Sequence, residues 1–394
     1  MEIYLVGGAV RDEQLGLPIN ERDWCIVGSS ASELVTKGFK SVGKNFPIFL
    51  HPRTKEEYAL ARTEQKTHPG YHGFKFNTSK NITLEEDLKR RDLTINAMAK
   101  DANGLIIDPY NGLSDIKNRI LKHVSEAFNE DPVRVLRTAK FAARYHQHGF
   151  KVAEKTMHFM ESMVNNNEID ELAPDRVWKE TEEVLNNPNP HIYFRVLKQC
   201  NALSRIYPEF TKTKDSSNAQ KNPHESEINL DALELSVEIT NQAEVHFVVM
   251  LFTDHDLCST NYTQKKHYNV IQNLTKRLPI PNTYSQLAEL IIYYKDYKNI
   301  RHIDAEKILS FLDKTDAFRR KERFKKLLMV FEIIERNDKS SPQDQKIKNL
   351  LINTIIDSFN ALPIKNIVGK ESNGEKIKKL IHQSKIEIIK KTPK

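Results

Sequence analysis

A Gly7-Gly8 pair closes an apolar run, Ile3–Val6, and leads into a short helical pattern, Ala9–Leu15, that carries Arg11. Two glycines let the backbone approach a ligand closely, and the N–H groups at a helix start attract anions. Downstream, Glu21 and Asp23 flank Arg22 at the opening of a second β-like run. Residues i and i+2 of a strand face the same way, so this spacing predicts a carboxylate pair beside a phosphate-binding turn. Such a pair suits Mg²⁺, which takes oxygen ligands together with substrate phosphates. Two ions so held would activate an attacking hydroxyl and stabilise a leaving pyrophosphate. Each part also has a plainer reading, as an ordinary strand-to-helix turn and a charged strand end.

Further groups could serve the same chemistry. Arg90 and Arg91 precede Asp92 and Asn96 in a helical segment, and an arginine fork fits a triphosphate better than a lysine does. Glu57, in the strand-like EEYALAR, is a candidate third carboxylate or else a solvent-facing strand residue. In EDPVR, Glu130–Arg134, an aspartate precedes proline at a first helical position, which is how a helix begins. From Arg134, the residues Arg137, Lys140 and Arg144 recur at three- and four-residue spacing. That makes a basic stripe on one helix face, able to hold phosphates or to sit in solvent.

The elements that must position these groups are legible in outline. Up to about residue 125 short β-like runs alternate with helical patterns, as at Ile3–Val6, Trp24–Val27, Ile48–Leu50 and Tyr58–Ala61. From Asp131 onward apolar residues recur at helical spacing, for example Leu287, Leu290, Ile291, Tyr294, and Leu327, Leu328, Phe331, Ile334, and Ile347, Leu351, Ile355, Phe359. The expected order is an α/β region over 1–125, a helical segment over 126–210 and a second helical part over 211–394. The stretch 211–227, TKTKDSSNAQKNPHESE, is almost without apolar residues and reads as a hinge. No repeat of fixed period is visible.

Composition sets outer limits. At 394 residues and 45.7 kDa the chain is long enough for two or three folded units. The longest apolar run, Phe247–Phe252, is too short to span a bilayer, and the N-terminus does not read as a secretory signal, so no membrane association and a cytoplasmic location are expected. Three widely spaced cysteines exclude a disulfide framework and a cysteine-rich zinc site. The net charge of +7 concentrates at Arg319–Lys326, RRKERFKK, and in the tail from Ile364, runs that suit a phosphate-bearing partner or a solvated helix face. His255-Asp256 resembles a phosphohydrolase signature, but Leu257-Cys258-Ser259 follows it and Asp231 stands where an upstream histidine would be needed, so that activity is not expected.

Taken in order, GGAVRD, LGLP, ERDW, RRDLTINAM, DPYNGLSDIKNRIL, EDPVRVLRTAKFAARY and PDRVWKE resemble the class II CCA-adding enzymes, the tRNA nucleotidyltransferases. The resemblance is strong over roughly the first 180 residues and weak beyond 205. It implies an α/β head of polymerase-β-like nucleotidyltransferase type followed by an all-α neck, body and tail that hold the acceptor arm of tRNA. It implies CTP and ATP as substrates and Mg²⁺ as cofactor. Position by position, Gly8 and Arg11 match nucleotide contacts, Glu21 and Asp23 the metal-binding and catalytic carboxylates, and Arg91 a triphosphate contact, with Asp92 and Asn96 at the ribose. Arg137 and Lys140 match the nucleotide-binding face of the neck, where the family often has arginine in place of Lys140. The family usually has aspartate at Glu21; glutamate keeps the oxygen ligand and moves it by one methylene.

In that family the residues matching Asp131 and Arg134 act as a template for the base. Cytosine and adenine each offer an exocyclic amine to a carboxylate and a ring nitrogen to an arginine. Uracil and guanine would set a carbonyl against Asp131, an unpaired buried acceptor that is strongly rejecting. The implied activity is addition of C, C and A to tRNA 3′ ends. A poly(A) polymerase with the same head, an enzyme adding only CC or only A, and an inactive RNA-binding protein remain as alternatives.

Overall fold

The computed structural model describes the chain except residues 43–47, 67–73, 211–227, 253–256, 258–263, 339–341, 364–366, 370 and 394. The hinge expected over 211–227, the His255-Asp256 pair, Cys258 and parts of the basic tail therefore lie outside the described residues. The chain forms two compact units, Met1–Val184 with Ile192–Pro208, and Leu185–His191 with Glu209–Lys394.

In the first unit β1 (Glu2–Val6) leads into α1 (Gly8–Gln14), β2 (Asp23–Val27), α2 (Ala31–Thr36), β3 (Lys40–Val42), β4 (Ile48–Leu50) and β5 (Glu57–Leu60). There follow the hairpin β6 (Thr63–Lys66) and β7 (Phe74–Asn77), α3 (Leu84–Lys89), and the two-residue strands β8 (Ala99–Lys100) and β9 (Ile106–Ile107). A mixed sheet runs β3-β4-β5-β2-β1-β8-β9, with β2 parallel to β5 and antiparallel to β1. Ser30 and Thr83 start α2 and α3 through capping boxes closed by Glu33 and Glu86. Alternation along the strands gives each sheet face its own core. Val6, Cys25 and Ala61 pack with Leu84, Leu88, Ala97 and Ala99 on one face, and Ile26, Tyr58 and Leu60 with Leu34 and Phe49 on the other. Full burial of a residue such as Leu88 contributes about 1.5–3 kcal/mol.

Helices then take over, α4 (Gly112–Asn118), α5 (Val133–Arg144), α6 (Glu154–Asn165) and α7 (Pro174–Leu185). Gly112 starts α4 against the 94–96 turn so closely that a Cβ would stand 2.4 Å from the Thr94 carbonyl. That contact fixes α4 to the segment carrying Asp92 and Asn96. On α5 the residues Val135, Leu136, Ala139, Ala142 and Ala143 are buried.

Among its described residues the second unit is helical throughout. The expected apolar stripes are buried, as at Leu287, Ile291, Leu327, Phe331, Leu351 and Ile355. The stripe over 287–294 is not one helix, however: a tighter 3₁₀ turn at Leu290–Tyr293 separates Asn282–Glu289 from Tyr294–Lys298. The basic run at 319–326 enters the helix Lys321–Asn337, with Arg319 and Arg320 paired to Asp316, Lys325 to Glu322 and Lys326 to Glu244. No helix of the described residues is long and apolar enough to cross a membrane. Cys25 and Cys200 are free and buried, and desolvation pushes their thiols up to about 12 and about 11.

Candidate active site

The turn between β1 and α1 depends on Gly7. Its φ is +70° with ψ at −126°, a conformation that only glycine takes without strain, and its N–H donates to the Met98 carbonyl at 3.2 Å. A Cβ on Gly7 would lie 2.8 Å from Nη1 of Arg91, and one on Gly8 3.3 Å from Nη2 of Arg11. Two arginines far apart in sequence therefore converge on the Gly7-Gly8 backbone. No side chain caps the start of α1, so its first N–H groups stay clear of side-chain acceptors.

Register brings the carboxylates to the same place. Asp23 stands opposite Val6 on β1 and, on its other side, opposite Glu57 on β5. Paired positions on neighbouring strands lie about 4.8 Å apart and face the same way, so the register sets Asp23 and Glu57 as neighbours on one face of the sheet. β2 begins at Asp23, however, so the i, i+2 strand rule that aligned Glu21 with Asp23 does not apply. Glu21 lies in the preceding loop and is exposed. Asp23 is also exposed at the strand end, yet the atoms packed around it desolvate it and raise its pKa, Arg91 offsetting part of the rise and the Glu21 charge adding to it. Glu21, Asp23 and Arg91 thus share one electrostatic site. Among the described residues no three His, Cys, Asp or Glu side chains converge to enclose an ion. An open carboxylate pair fits Mg²⁺, which keeps waters and substrate phosphates in its shell, and does not fit a metal caged by protein alone.

Buried carboxylates orient the arginines. Asp87, 1% exposed, accepts Nε and Nη2 of Arg90 on one oxygen and Nη2 of Arg91 at 3.3 Å on the other. Arg90 also bonds Glu64 at 2.8 Å and so turns away from the glycines, whereas Arg91 faces them with its buried Nε unpartnered. Arg11 is 3% exposed. Its Nε and Nη2 donate to Asp12 at 2.9 and 3.0 Å, its Nη1 donates to Asn96 Oδ1, and its guanidinium lies over Phe141 and Tyr145. Asn96 in turn donates to Asp92 at 3.0 Å, and Asp92 accepts Arg137 Nε at 2.8 Å. Burial pushes the Asp92 carboxyl up, but the Arg137 charge and the hydrogen bonds of Asn96, Arg137 and the Leu93 N–H outweigh it and hold it well below the usual range. Asp92 and Asn96, expected at the ribose, are thus occupied within the protein.

The stripe on α5 is correspondingly not a free basic face. Arg137 pairs with Asp92, Lys140 with Glu180 at 2.6 Å and Glu183 at 2.5 Å on α7, and Arg144 with Asp12 at 3.3 Å. Arg134 is buried and donates to the carbonyls of Ala127 at 2.7 Å and Arg90 at 2.6 Å. Asp131 does not meet Arg134 through its side chain; it accepts the Val133 N–H at 3.1 Å and both Nη atoms of Arg176 at 3.3 Å. Sequence reasoning missed Asp12, Asp87 and Arg176. Asp87 had a signal, lying three and four residues before Arg90 and Arg91 in a helix. Arg176, 45 residues from Asp131, had none.

Comparison with known proteins bears on the family and the fold. The family described as the poly A polymerase head domain matches residues 3–122, and that described as the probable RNA and SrmB-binding site of polymerase A matches 149–213. A CCA-adding enzyme of Coxiella burnetii is 42% identical over 390 residues, covering 99% of this chain and 95% of its own. Among solved structures, a CCA-adding enzyme in complex with ATP superposes with a TM-score of 0.68 at 18% identity, over 98% of this chain and 86% of that one. The Bacillus stearothermophilus CCA-adding enzyme in complex with CTP gives 0.61 at 22%, over 98% and 88%. These two show the fold, and with the head-domain match over 3–122 it is a polymerase-β-like nucleotidyltransferase head followed by helices. Near-full-length identity to the Coxiella enzyme shows the family: the chain belongs to the CCA-adding enzymes.

Proposed function

We propose that this chain adds C, C and A to the 3′ end of tRNA from CTP and ATP, releasing pyrophosphate, with the reaction centred on Asp23 beside the Gly7-Gly8 turn. The observation that supports this placement is the register Val6↔Asp23↔Glu57, two acidic residues on adjacent strands beside the glycine turn that Arg91 flanks. Asp23 and Glu21 would hold Mg²⁺, with Glu57 beside them as a third oxygen donor. When bound, Mg²⁺ favours ionisation of the tRNA 3′-hydroxyl and neutralises charge on the triphosphate. The protein's own part is positioning. The backbone of Gly7 and Gly8 gives the triphosphate close access, and Arg91, braced by Asp87, supplies the guanidinium N–H groups that Asp87 leaves free. Arg11 lies behind Gly8 with its charge shared by Asp12 and acts on the nucleotide through its remaining N–H groups. Asp131 and Arg134 select the base at the start of α5, while Arg137 and Lys140 hold that helix through Asp92 and Glu180.

The division proposed is a head over 1–125, a neck over 126–210 and a body and tail over 211–394, the last gripping the tRNA acceptor arm by shape and backbone in the cytoplasm. Recognition by shape follows from the substrate, since every tRNA must be accepted. Asp23→Ala should lower nucleotide incorporation by roughly a thousandfold or more while tRNA binding is kept, as expected for loss of transition-state charge stabilisation. Incorporation by Asp23→Ala near the wild-type rate would move the metal site elsewhere.

A further inference from the structure

The carboxylate assigned to reading the base is held by a side chain outside the motif that contains it. Arg176, on α7, approaches Asp131 with its planar fork, Nη1 donating to Oδ1 and Nη2 to Oδ2, both at 3.3 Å. The Val133 N–H adds a bond to Oδ1 at 3.1 Å. An ionised carboxylate has about four lone-pair sites, two on each oxygen. These bonds occupy both sites of Oδ1 and one of Oδ2, leaving one acceptor direction on Oδ2. An exocyclic amine needs one acceptor. The fork also fixes the carboxylate plane, because a bidentate guanidinium–carboxylate pair is coplanar, which a lysine ammonium cannot impose.

The mounting of Arg176 is itself fixed. One and two turns further along α7, Glu180 and Glu183 grip Lys140 of α5 at 2.6 and 2.5 Å, so α7 is clamped to the helix that Asp131 starts. The Arg176 and Asp131 side chains remain 32% and 22% exposed, so the pair is open to a base and is not part of the apolar core.

We propose that Arg176 is the specificity-determining positioning residue of the base template: it orients Asp131 so that a single oxygen direction accepts an exocyclic amine. It acts through Asp131 and does not itself select the base. The inference rests on the template reading of Asp131, and its test separates the two. Full-length Arg176→Gln, Arg176→Lys and Asp131→Asn would each be given tRNA lacking its CCA end, Mg²⁺ and CTP in competition with UTP, and the UTP-to-CTP incorporation ratio read from sequenced 3′ ends. Arg176→Gln should raise the ratio roughly tenfold, the effect of losing about one charged hydrogen bond's worth of orientation. Arg176→Lys should raise it less, and Asp131→Asn should raise it at least as much as Arg176→Gln. A purely structural role would slow all nucleotides alike and leave the ratio unchanged, which overturns the proposal even if either variant is less stable. If Asp131→Asn relaxes selection and neither Arg176 variant does, Arg176 is not the positioning residue although the template stands. If Asp131→Asn leaves the ratio at wild type, the template reading fails and this inference with it.

Discussion

Replacing Asp92 by asparagine tests whether the buried network behind the glycine turn is electrostatic. The change keeps shape and removes one charge. Asp92 Oδ1 accepts the Leu93 N–H at 2.8 Å and Asn96 Nδ2 at 3.0 Å, while Oδ2 accepts Arg137 Nε at 2.8 Å. Asparagine can keep the first two bonds with its carbonyl, but its amide nitrogen then meets Arg137 donor to donor. The loss is one charged hydrogen bond, worth about 1.5–3 kcal/mol. Because the Arg137 side chain is 39% exposed, it can turn to water and the pair is partly screened, so about 2 kcal/mol is expected at pH 7. With a urea m-value of about 2 kcal/mol/M, the unfolding midpoint should fall by about 1 M. The two tryptophans, Trp24 and Trp178, both lie in the first unit, so intrinsic fluorescence reports that unit's unfolding. The pH dependence has a definite sign. The native carboxyl titrates below its unfolded value of about 3.9, so its stabilisation is complete above that pH and fades as pH falls toward the native value. The gap between wild type and Asp92→Asn should be equal at pH 7 and pH 5 and narrower at pH 3. Equal stabilities at pH 7, or a gap that widens in acid, would refute this account.

Two further outcomes follow from the same geometry. Gly7→Ala forces a Cβ into a φ of +70° and against Arg91 at 2.8 Å; it should cost about 1–3 kcal/mol in backbone strain and lower kcat/KM for CTP and ATP alike by about a hundredfold, through displacement of Arg91. Steady-state rates with each nucleotide check this, and a wild-type kcat/KM would remove Arg91 from the site. Incorporation should also fall on acidification at a pH above that of an ordinary aspartate, since desolvation and Glu21 raise the Asp23 pKa and the protonated acid is a poor metal ligand. In the metal-free chain, Glu21→Gln should lower the pH at which the Asp23 carboxyl titrates, followed by NMR, because one of the charges raising it is gone; an upward move contradicts the assignment.

Local signals carried far into this fold. The β1, β2, β4 and β5 strands and the Gly7 turn were legible because apolar alternation and glycine act over a few residues. The short strands β3, β8 and β9 were not: Lys40-Ser41-Val42 has a single apolar residue, two residues cannot show a period, and the pairing of all three is set by the sheet. The carboxylate pairing illustrates the same limit. Periodicity aligned Glu21 with Asp23, but the strand starts two residues too late for that; what places Glu57 beside Asp23 is a parallel register no local pattern specifies. The basic stripe on α5 was correctly spaced and incompletely understood. Its partners, Asp12, Asp92, Glu180 and Glu183, come from three other stretches of the chain, and only the folded chain shows the ion pairs they make with the stripe.

The central claim is that Glu21 and Asp23 support templateless addition of a defined triplet. Its most direct test is sequencing of the 3′ ends made by the purified chain from tRNA lacking its CCA end, with Mg²⁺ and all four nucleoside triphosphates. Ends that read CCA and stop there are predicted. Long runs of A, as a poly(A) polymerase would make, or unextended ends, as an inactive RNA-binding protein would leave, would contradict it.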